Sequence, residues 1–278
     1  MNNNINRKSK YSLIVFSITA ILSGWIGRGV DLLSGTTAGN TPGQLVWLLL
    51  PLISVLIIKK VFKSSQSTIG FKPKYKENSK YYLISIFFYP IVIIGYLIIG
   101  TLFGFISFND VSFETIIPLF ITMIIAQTFK NIFEEFSWRG YLAPELFVLK
   151  INRYLSHFIV GIVWALWHIP YNHIFIDTYR ITTTVWYYPA FILGIIVLSF
   201  AYGEIRYRVN AIWPALIMHT VGNALFNTLI LSSLLNLNKA DTIVTSIGVE
   251  GFIIIGITLI LTLIILQSGK PHEIHNKR

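Results

Sequence analysis

Residues 81–108 read YYLISIFFYPIVIIGYLIIGTLFGFISF, a run of 28 residues without a charged side chain. A helix rises about 1.5 Å per residue, so about 20 apolar residues cross the roughly 30 Å of hydrocarbon in a bilayer. Inside lipid, the polar groups of the backbone must be satisfied within the segment itself, and a helix does this. The run therefore predicts a membrane-spanning helix.

Comparable apolar runs recur along the whole chain. Of its 278 residues, 54% are hydrophobic and 12% are charged, and the mean hydropathy is +0.66, well outside the values of an ordinary soluble domain. We expect an all-α, polytopic bundle of transmembrane helices, a single integral membrane domain over residues 1–278. The predicted spans are 11–27, 43–58, 81–108, 116–133, 155–176, 185–203, 211–237 and 247–267.

The basic residues predict how the bundle is oriented. With both termini placed in the cytoplasm, the outside segments keep only Arg28, Arg180 and Lys239 of the 22 Lys and Arg residues. This asymmetry follows the positive-inside rule and predicts eight spans with both termini cytoplasmic. The first run, 11–27, follows basic residues and imitates a signal peptide, but no small-residue cleavage site follows it. We expect it to be retained as the first span.

The composition also excludes several kinds of chemistry. The chain has no cysteine, which excludes disulfides, thiolate nucleophiles and thiol-ligated metals. Its formal charge of +10 would suit nucleic acid, but the basic residues lie in short segments between apolar runs rather than on one soluble face. We therefore expect the lipid bilayer, and no nucleic acid, as a partner.

Ionisable side chains close the fourth span, although a charge at mid-bilayer costs about 2.5–3.5 kcal/mol. They are Glu134, Glu135 and Arg139. Glu135 and Arg139 are four residues apart, in the favourable order for an ion pair on one helix face. A step of about 100° per residue turns Glu134 away from that face, without an obvious local partner. We interpret Glu135 as structural and Glu134 as free for chemistry.

Two further spans carry polar groups. His168 lies deep in the fifth span, shortly before Pro170, which disturbs a helix and frees backbone carbonyls. His219 and Asn223 lie four residues apart in the seventh span, so imidazole and carboxamide share one face, which Asn227 extends. Three spans can thus direct polar groups into one interior cavity.

Each cluster also has a purely structural interpretation. The two glutamates and the arginine would serve as an interfacial charge group, and His168 as a hydrogen-bonded packing residue. His219 and Asn223 would be contacts between helices, worth about 0.6 kcal/mol each. Packing alone does not require two carboxylates, two histidines and an amide on three spans. Their joint occurrence favours a catalytic site.

In order and spacing, these residues resemble the motifs of the CAAX protease and bacteriocin-processing family, also called the Abi or type II CAAX prenyl endopeptidase family. The similar positions are Glu134, Glu135 and Arg139 for its first motif, His168 for its second, and His219 with Asn223 for its third. The resemblance covers roughly residues 116–230, the expected catalytic core. The second motif usually has phenylalanine four residues before the histidine, where this chain has Trp164, a difference that bears on cavity shape.

The resemblance implies a helical membrane endopeptidase in which a glutamate and a histidine activate water. Carried over, Glu134 would be the general base, and His168 would orient the water and share its proton. His219 and Asn223 would donate to the oxyanion, where one such donor is worth about 2.7–4 kcal/mol. The neighbouring ion pair would hold the helix end in place.

A metal is the open alternative, because two histidines and a glutamate are also a catalytic zinc ligand set with water in the fourth position. If zinc is bound, its ligands would be Glu134, His168 and His219. These would come from three helices, and no His-Glu-x-x-His helix is present; the tail group from His272 to His275 lacks that spacing. We expect a direct glutamate mechanism without a metal cofactor.

Other functions fit the sequence less well. Neither the Gly-x-Ser-Gly of a rhomboid-type protease nor the Gly-x-Gly-Asp of a presenilin-type protease occurs. A transporter would also place polar residues in its spans, but no repeat relates the two halves. The main alternative is a non-catalytic membrane protein of the same fold, as in bacteriocin immunity or sensor-kinase regulation. The combination of Glu134, His168 and His219 argues against it.

The setting of the reaction is easier to predict than its substrate. Short termini, many Asn, Ile and Lys residues and the lack of an organelle address favour the plasma membrane of a bacterium. There the expected substrates are membrane-associated peptides or proteins, such as pheromone leaders or bacteriocins, by analogy alone. The sequence predicts neither the oligomeric state nor whether a prenyl group is recognised.

Overall fold

A computed structural model describes residues 3–36, 41–62, 68–104, 106–179, 187–237 and 249–268. This part of the chain is almost entirely helical. The helices are α1 (Asn3–Ser34), α2 (Pro42–Phe62), α3 (Tyr75–Leu102), α4 (Phe113–Ser137), a π-helix (Trp138–Leu142), α5 (Ala143–Val148), α6 (Arg153–Tyr179), α7 (Tyr187–Val209), α8 (Trp213–Leu231) and α9 (Val249–Gln267).

Six helical segments in the described residues are long and apolar enough to cross a membrane: Arg7–Ser34, Pro42–Phe62, Tyr75–Leu102, Phe113–Val148, Tyr187–Val209 and Trp213–Leu231. A shorter apolar helix covers Gly251–Gln267. The prediction of an all-α, multi-pass membrane bundle is therefore confirmed. The total of eight spans and the cytoplasmic position of both termini stay predictions.

Two predicted spans, 81–108 and 211–237, end earlier as helices than the apolar pattern suggested. Gly104 follows α3 with a φ of +73°, and Ser233 follows α8 with a φ of +53°. This left-handed conformation ends a helix, and glycine adopts it without a steric penalty. The chain then forms two short strands that pair antiparallel, with Ile106 opposite Leu237 and Phe108 opposite Leu235; these are β1 (Ile106–Phe108) and β2 (Leu235–Leu237).

A buried carboxylate ties the first two helices to α6. Asp31 is fully buried, and its Oδ1 accepts a hydrogen bond at 2.8 Å from the backbone N–H of Gly43 in the first turn of α2. Its Oδ2 accepts from the hydroxyls of Thr41 at 3.0 Å and Tyr171 at 3.3 Å. The helices cross so closely that a Cβ on Gly27 would lie 2.3 Å from the carbonyl oxygen of Gly43. This crossing therefore requires glycine, as at many helix contacts in membranes.

Two tryptophans hold α6 against α2 next to the predicted second motif. The indole N–H of Trp47 donates to the carbonyl of Trp167 at 3.0 Å, and the indole N–H of Trp167 donates to the carbonyl of Trp47 at 3.2 Å. Their rings stack with centroids 4.2 Å apart. Pro170 lies inside α6 and lacks an N–H, which leaves a carbonyl of the preceding turn without its helical donor. The two hydrogen bonds between Trp47 and Trp167 therefore stabilise α6 near the point where its backbone hydrogen bonds are interrupted.

Candidate active site

Glu134 lies near the end of α4 and is 2% exposed. Its Oε1 accepts a hydrogen bond from Lys130 Nζ at 2.8 Å, and its Oε2 accepts one from the indole Nε1 of Trp164 at 2.9 Å. The prediction that Glu134 has no local partner is therefore wrong, because Lys130 lies one helical turn earlier on the same face. A carboxylate oxygen has two lone pairs, so each oxygen can still accept one more proton or hydrogen bond.

Glu135 is fully buried and carries two partners on one oxygen. Its Oε1 accepts from Arg139 Nη1 at 3.0 Å, so the ion pair expected from their spacing is present. The same oxygen lies 2.8 Å from Nδ1 of His219 on α8. A carboxylate only accepts, so Nδ1 donates and Nε2 is left to face other groups. Glu135 thus also orients His219.

His168 is oriented by its own helix. Its Nδ1 lies 2.9 Å from the carbonyl oxygen of Trp164, which only accepts, so Nδ1 carries the proton. Its ring packs edge-on against Trp167 and Phe191, with centroids 4.6 Å and 5.6 Å away. In the neutral tautomer this leaves a lone pair on Nε2. The imidazole is therefore arranged to accept a hydrogen bond or a proton from water.

Asn223 of α8 also forms a hydrogen bond to α4. Its Nδ2 donates to Oδ1 of Asn131 at 3.1 Å. Asn131 lies one turn before Glu135, the residue that bonds His219, so two residues of α8 bond two residues of α4. Asn131 is fully buried, and its own Nδ2 has no hydrogen-bond partner in the described part of the chain. Asn227 donates to the backbone carbonyl of Asn223 at 2.7 Å. Asn223, which was predicted to donate to an oxyanion, therefore has only one N–H group left for that hydrogen bond.

The indole of Trp164 is the common neighbour of the predicted catalytic groups. Its N–H bonds Glu134, and its ring centroid lies 5.9 Å from that of His168 and 5.4 Å from that of His219. The guanidinium carbon of Arg139 lies 4.3 Å from the same ring, within the range of a cation–π contact. A carboxylate from α4, an imidazole from α6 and an imidazole from α8 therefore surround one side chain.

Two tyrosines complete this layer from α7 and α3. The ring of Tyr202 lies 5.5 Å from that of His219 and 4.8 Å from the guanidinium carbon of Arg139. Its hydroxyl is 2.7 Å from the hydroxyl of Tyr89. A Cβ on Gly222 would lie 2.4 Å from the ring of Tyr89, so α8 can approach α3 this closely only with glycine at that position. The guanidinium of Arg139 thus lies between the rings of Trp164 and Tyr202.

A π-helix begins at Trp138, three residues after Glu135. Such widened turns are rare and often lie at functional sites. In the same turn, the carbonyl of Arg139 accepts a hydrogen bond from Nε of Arg206 at 2.8 Å. Nη2 of Arg206 donates at 2.8 Å to the carbonyl of Thr68, in the segment before α3. The end of the α4 motif is therefore tied to α7 and to this segment.

The zinc ligand set considered above stays an open alternative. Across the described ranges, no three His, Asp or Glu side chains are grouped as metal ligands. The Nδ1 atoms of His168 and His219 bond a backbone carbonyl and Glu135, which leaves Nε2 of both rings to face the site. The mechanism proposed below uses no metal. The tail residues considered for metal binding, His272, Glu273 and His275, lie outside the described residues.

The sequence pattern did not identify several residues of this site. Lys130 and Asn131 stand one turn before Glu134 and Glu135, and their i, i+4 spacing was the signal that could have found them. Trp164 was noted only as an aromatic substitution that affects cavity shape. No local signal predicts its bond to α4, because a contact between helices depends on how they pack.

The central part of the chain is similar to a known protein family. Residues 114–225, which begin in α4 and end in α8, match the model of a family described as type II CAAX prenyl endopeptidase Rce1-like. No curated protein matches the chain. The matched range contains every predicted site residue, from Glu134 to Asn223. The resemblance inferred from the three motifs is therefore confirmed.

Proposed function

Because residues 114–225 match the Rce1-like type II CAAX prenyl endopeptidases, we propose that this chain is an intramembrane endopeptidase that uses a glutamate and a histidine to activate water. One observation carries the proposal: Glu134 and two histidines from other helices surround the indole of Trp164. The family is one of proteases, and the site contains the acid–base groups that hydrolysis of a peptide bond requires.

In the proposed first step, Glu134 takes a proton from a water molecule whose oxygen attacks the carbonyl carbon of the peptide bond. The new C–O bond forms as the electron pair of the C=O bond moves onto the carbonyl oxygen. The lone pair on Nε2 of His168 accepts a hydrogen bond from the same water and so orients it. A general base of this kind contributes about 10²- to 10⁴-fold to the rate.

The negative oxygen of the tetrahedral intermediate would face Nε2 of His219 and the remaining N–H of Asn223. Because Nδ1 already donates to Glu135, Nε2 of His219 donates to this oxygen in the doubly protonated ring, as a charged hydrogen-bond donor. The protonated Glu134 then delivers its proton to the amide nitrogen, the C–N bond breaks, and an acid and an amine leave. Water, one peptide bond and two products balance without any further reactant.

The exposure of α4 favours a substrate within or beside the membrane. Ile121, Ile125 and Phe129 lie four residues apart on one face, and each is more than half exposed. In the most apolar stretch of Phe113–Val148, only 6% of the residues are buried, whereas 28% or more are buried in the corresponding stretches of the other candidate spans. A membrane-associated peptide can therefore approach along the helix that carries Glu134. In the plasma membrane of a bacterium, this class includes pheromone leaders and bacteriocins.

The proposal is tested in three kinds of cells: cells that lack the protein, cells that make it, and cells that make the Glu134→Gln variant at an equal level. Their membrane and secreted peptides are compared by mass spectrometry. We expect peptide products that appear only with the unchanged protein, together with loss of their precursors. Identical peptides in all three samples, with a biological activity that Glu134→Gln retains, would favour the non-catalytic membrane protein instead.

The mechanism also predicts that hydrolysis continues after metal removal. Purified protein in lipid vesicles is treated with a chelator, the chelator is washed out, and cleavage of a precursor peptide identified as above is measured. We expect the rate to stay within about twofold of that of untreated protein, since no step of the proposed mechanism uses a metal. Loss of cleavage on chelation, with recovery on addition of zinc, would contradict the direct glutamate mechanism.

A further inference from the structure

Trp164 bonds both groups that handle the proton in the proposed reaction. Its indole N–H donates to Oε2 of Glu134 at 2.9 Å, and its backbone carbonyl accepts from Nδ1 of His168 at 2.9 Å. We infer that Trp164 is a positioning residue: its indole N–H holds the Glu134 carboxylate facing the water that His168 orients. This inference rests on the proposed function and gives Trp164 a role that phenylalanine, the usual residue at this motif position, could not fill because it has no N–H to donate.

Glu134 needs such a donor because its side chain has three rotatable bonds and begins on α4, whereas His168 begins on α6. Its other partner, Lys130, lies on the same helix and has a side chain that is 34% exposed, so it does not fix the carboxylate relative to α6. The indole of Trp164 is 1% exposed and packs among rings. It therefore connects the two helices through a rigid donor.

The chemistry of the indole also suits this role. An indole N–H only donates, so it can hold a carboxylate without accepting the proton that the carboxylate takes from water. Since the carbonyl of Trp164 belongs to the backbone, the bond to His168 survives any change of side chain. The two links can thus be separated by substitution.

A packing role is the competing explanation, because the Trp164 ring also contacts Arg139 and His219. Replacing Trp164 by 3-benzothienylalanine, in which sulfur takes the place of the N–H group, keeps a ring system of the same shape and removes only the donor. Trp138 supplies the matched control: it is also fully buried, and its Nε1 has no hydrogen-bond partner in the residues described. The same replacement there removes no bond.

The first readout is the infrared carboxylate band of Glu134 in purified protein in lipid, isolated as the difference between the unchanged protein and Glu134→Gln. We expect this band to shift when Trp164 is replaced by the isostere and to stay in place when Trp138 is replaced. The measurement needs no substrate. A band that is the same in both replaced proteins would overturn the inference.

The second readout is cleavage of a precursor peptide identified by the membrane comparison. The isostere at Trp164, and likewise Trp164→Phe, is expected to lower kcat roughly 10- to 100-fold, the effect of losing a hydrogen bond to a charged group, with little change in KM. In the Glu134→Gln background, the same replacement should cause no further loss, because the donor acts through that carboxylate.

The outcomes separate the two proposals. Full kcat for the Trp164 isostere, with Glu134→Gln inactive, would overturn the positioning role and leave the endopeptidase in place. Full activity of Glu134→Gln would overturn the proposed function itself. A loss that appears in Trp164→Phe but not in the isostere would assign the effect to packing and contradict the inference.

Discussion

Glu134→Gln is expected to lower kcat about 10²- to 10⁴-fold, because a carboxamide cannot take the proton of the attacking water. The fold should survive the change. Glutamine can still accept a hydrogen bond through its carbonyl oxygen, and the ammonium of Lys130, with a side chain that is 34% exposed, can be solvated. The measurement is the initial rate of cleavage by purified protein in vesicles at equal concentrations.

Glu114→Gln is the matched control, since Glu114 lies in the first turn of the same helix and is exposed. It should leave both the rate and the yield of the protein unchanged. Equal rates for the two variants would remove Glu134 from the chemistry.

Glu135→Leu is expected to act on folding instead, lowering the free energy of unfolding by about 3–5 kcal/mol. The side chains of Glu135 and Arg139 are both fully buried, and the variant leaves a guanidinium without its counter-charge. Nε and Nη2 of Arg139 already lack hydrogen-bond partners in the described ranges. The measurement is thermal unfolding in detergent, together with the amount of protein in the membrane.

The double variant Glu135→Leu with Arg139→Leu separates charge from packing. Removing both partners of a buried pair is often neutral or stabilising, so this protein should unfold at a higher temperature than Glu135→Leu alone. It should remain inactive, because His219 loses the carboxylate that orients it. A double variant less stable than the single one would show that the ion pair is not the source of the effect.

The neighbouring glutamates illustrate how far the sequence could predict this site. The i, i+4 spacing of Glu135 and Arg139 predicted their ion pair, because both positions lie on one helix and local geometry is enough. The same reasoning missed Lys130, one turn before Glu134. The bonds of Trp164 to α4 and of His219 to Glu135 depend on the packing of separate helices, which periodicity does not contain.

The fold was predictable to a similar degree. Apolar runs identified the helices, since lipid leaves the backbone few alternatives. The ends at Gly104 and Ser233 were not predicted, because apolar residues continue beyond them into the two paired strands. The π-helix after Ser137 was also unexpected, as the register of a helix turn is set by its contacts as well as by its sequence.

The most direct test of the account is the separation of α4 and α6 at the site, measured by solid-state NMR in lipid. Protein is labelled with ¹⁵N at the tryptophan indole and ¹³C at the glutamate carboxyl, and dipolar dephasing is recorded. We expect a short-range contact consistent with 2.9 Å between Nε1 of Trp164 and Oε2 of Glu134, lost in Glu134→Gln. Dephasing that is absent, or that persists unchanged in this variant, would contradict it.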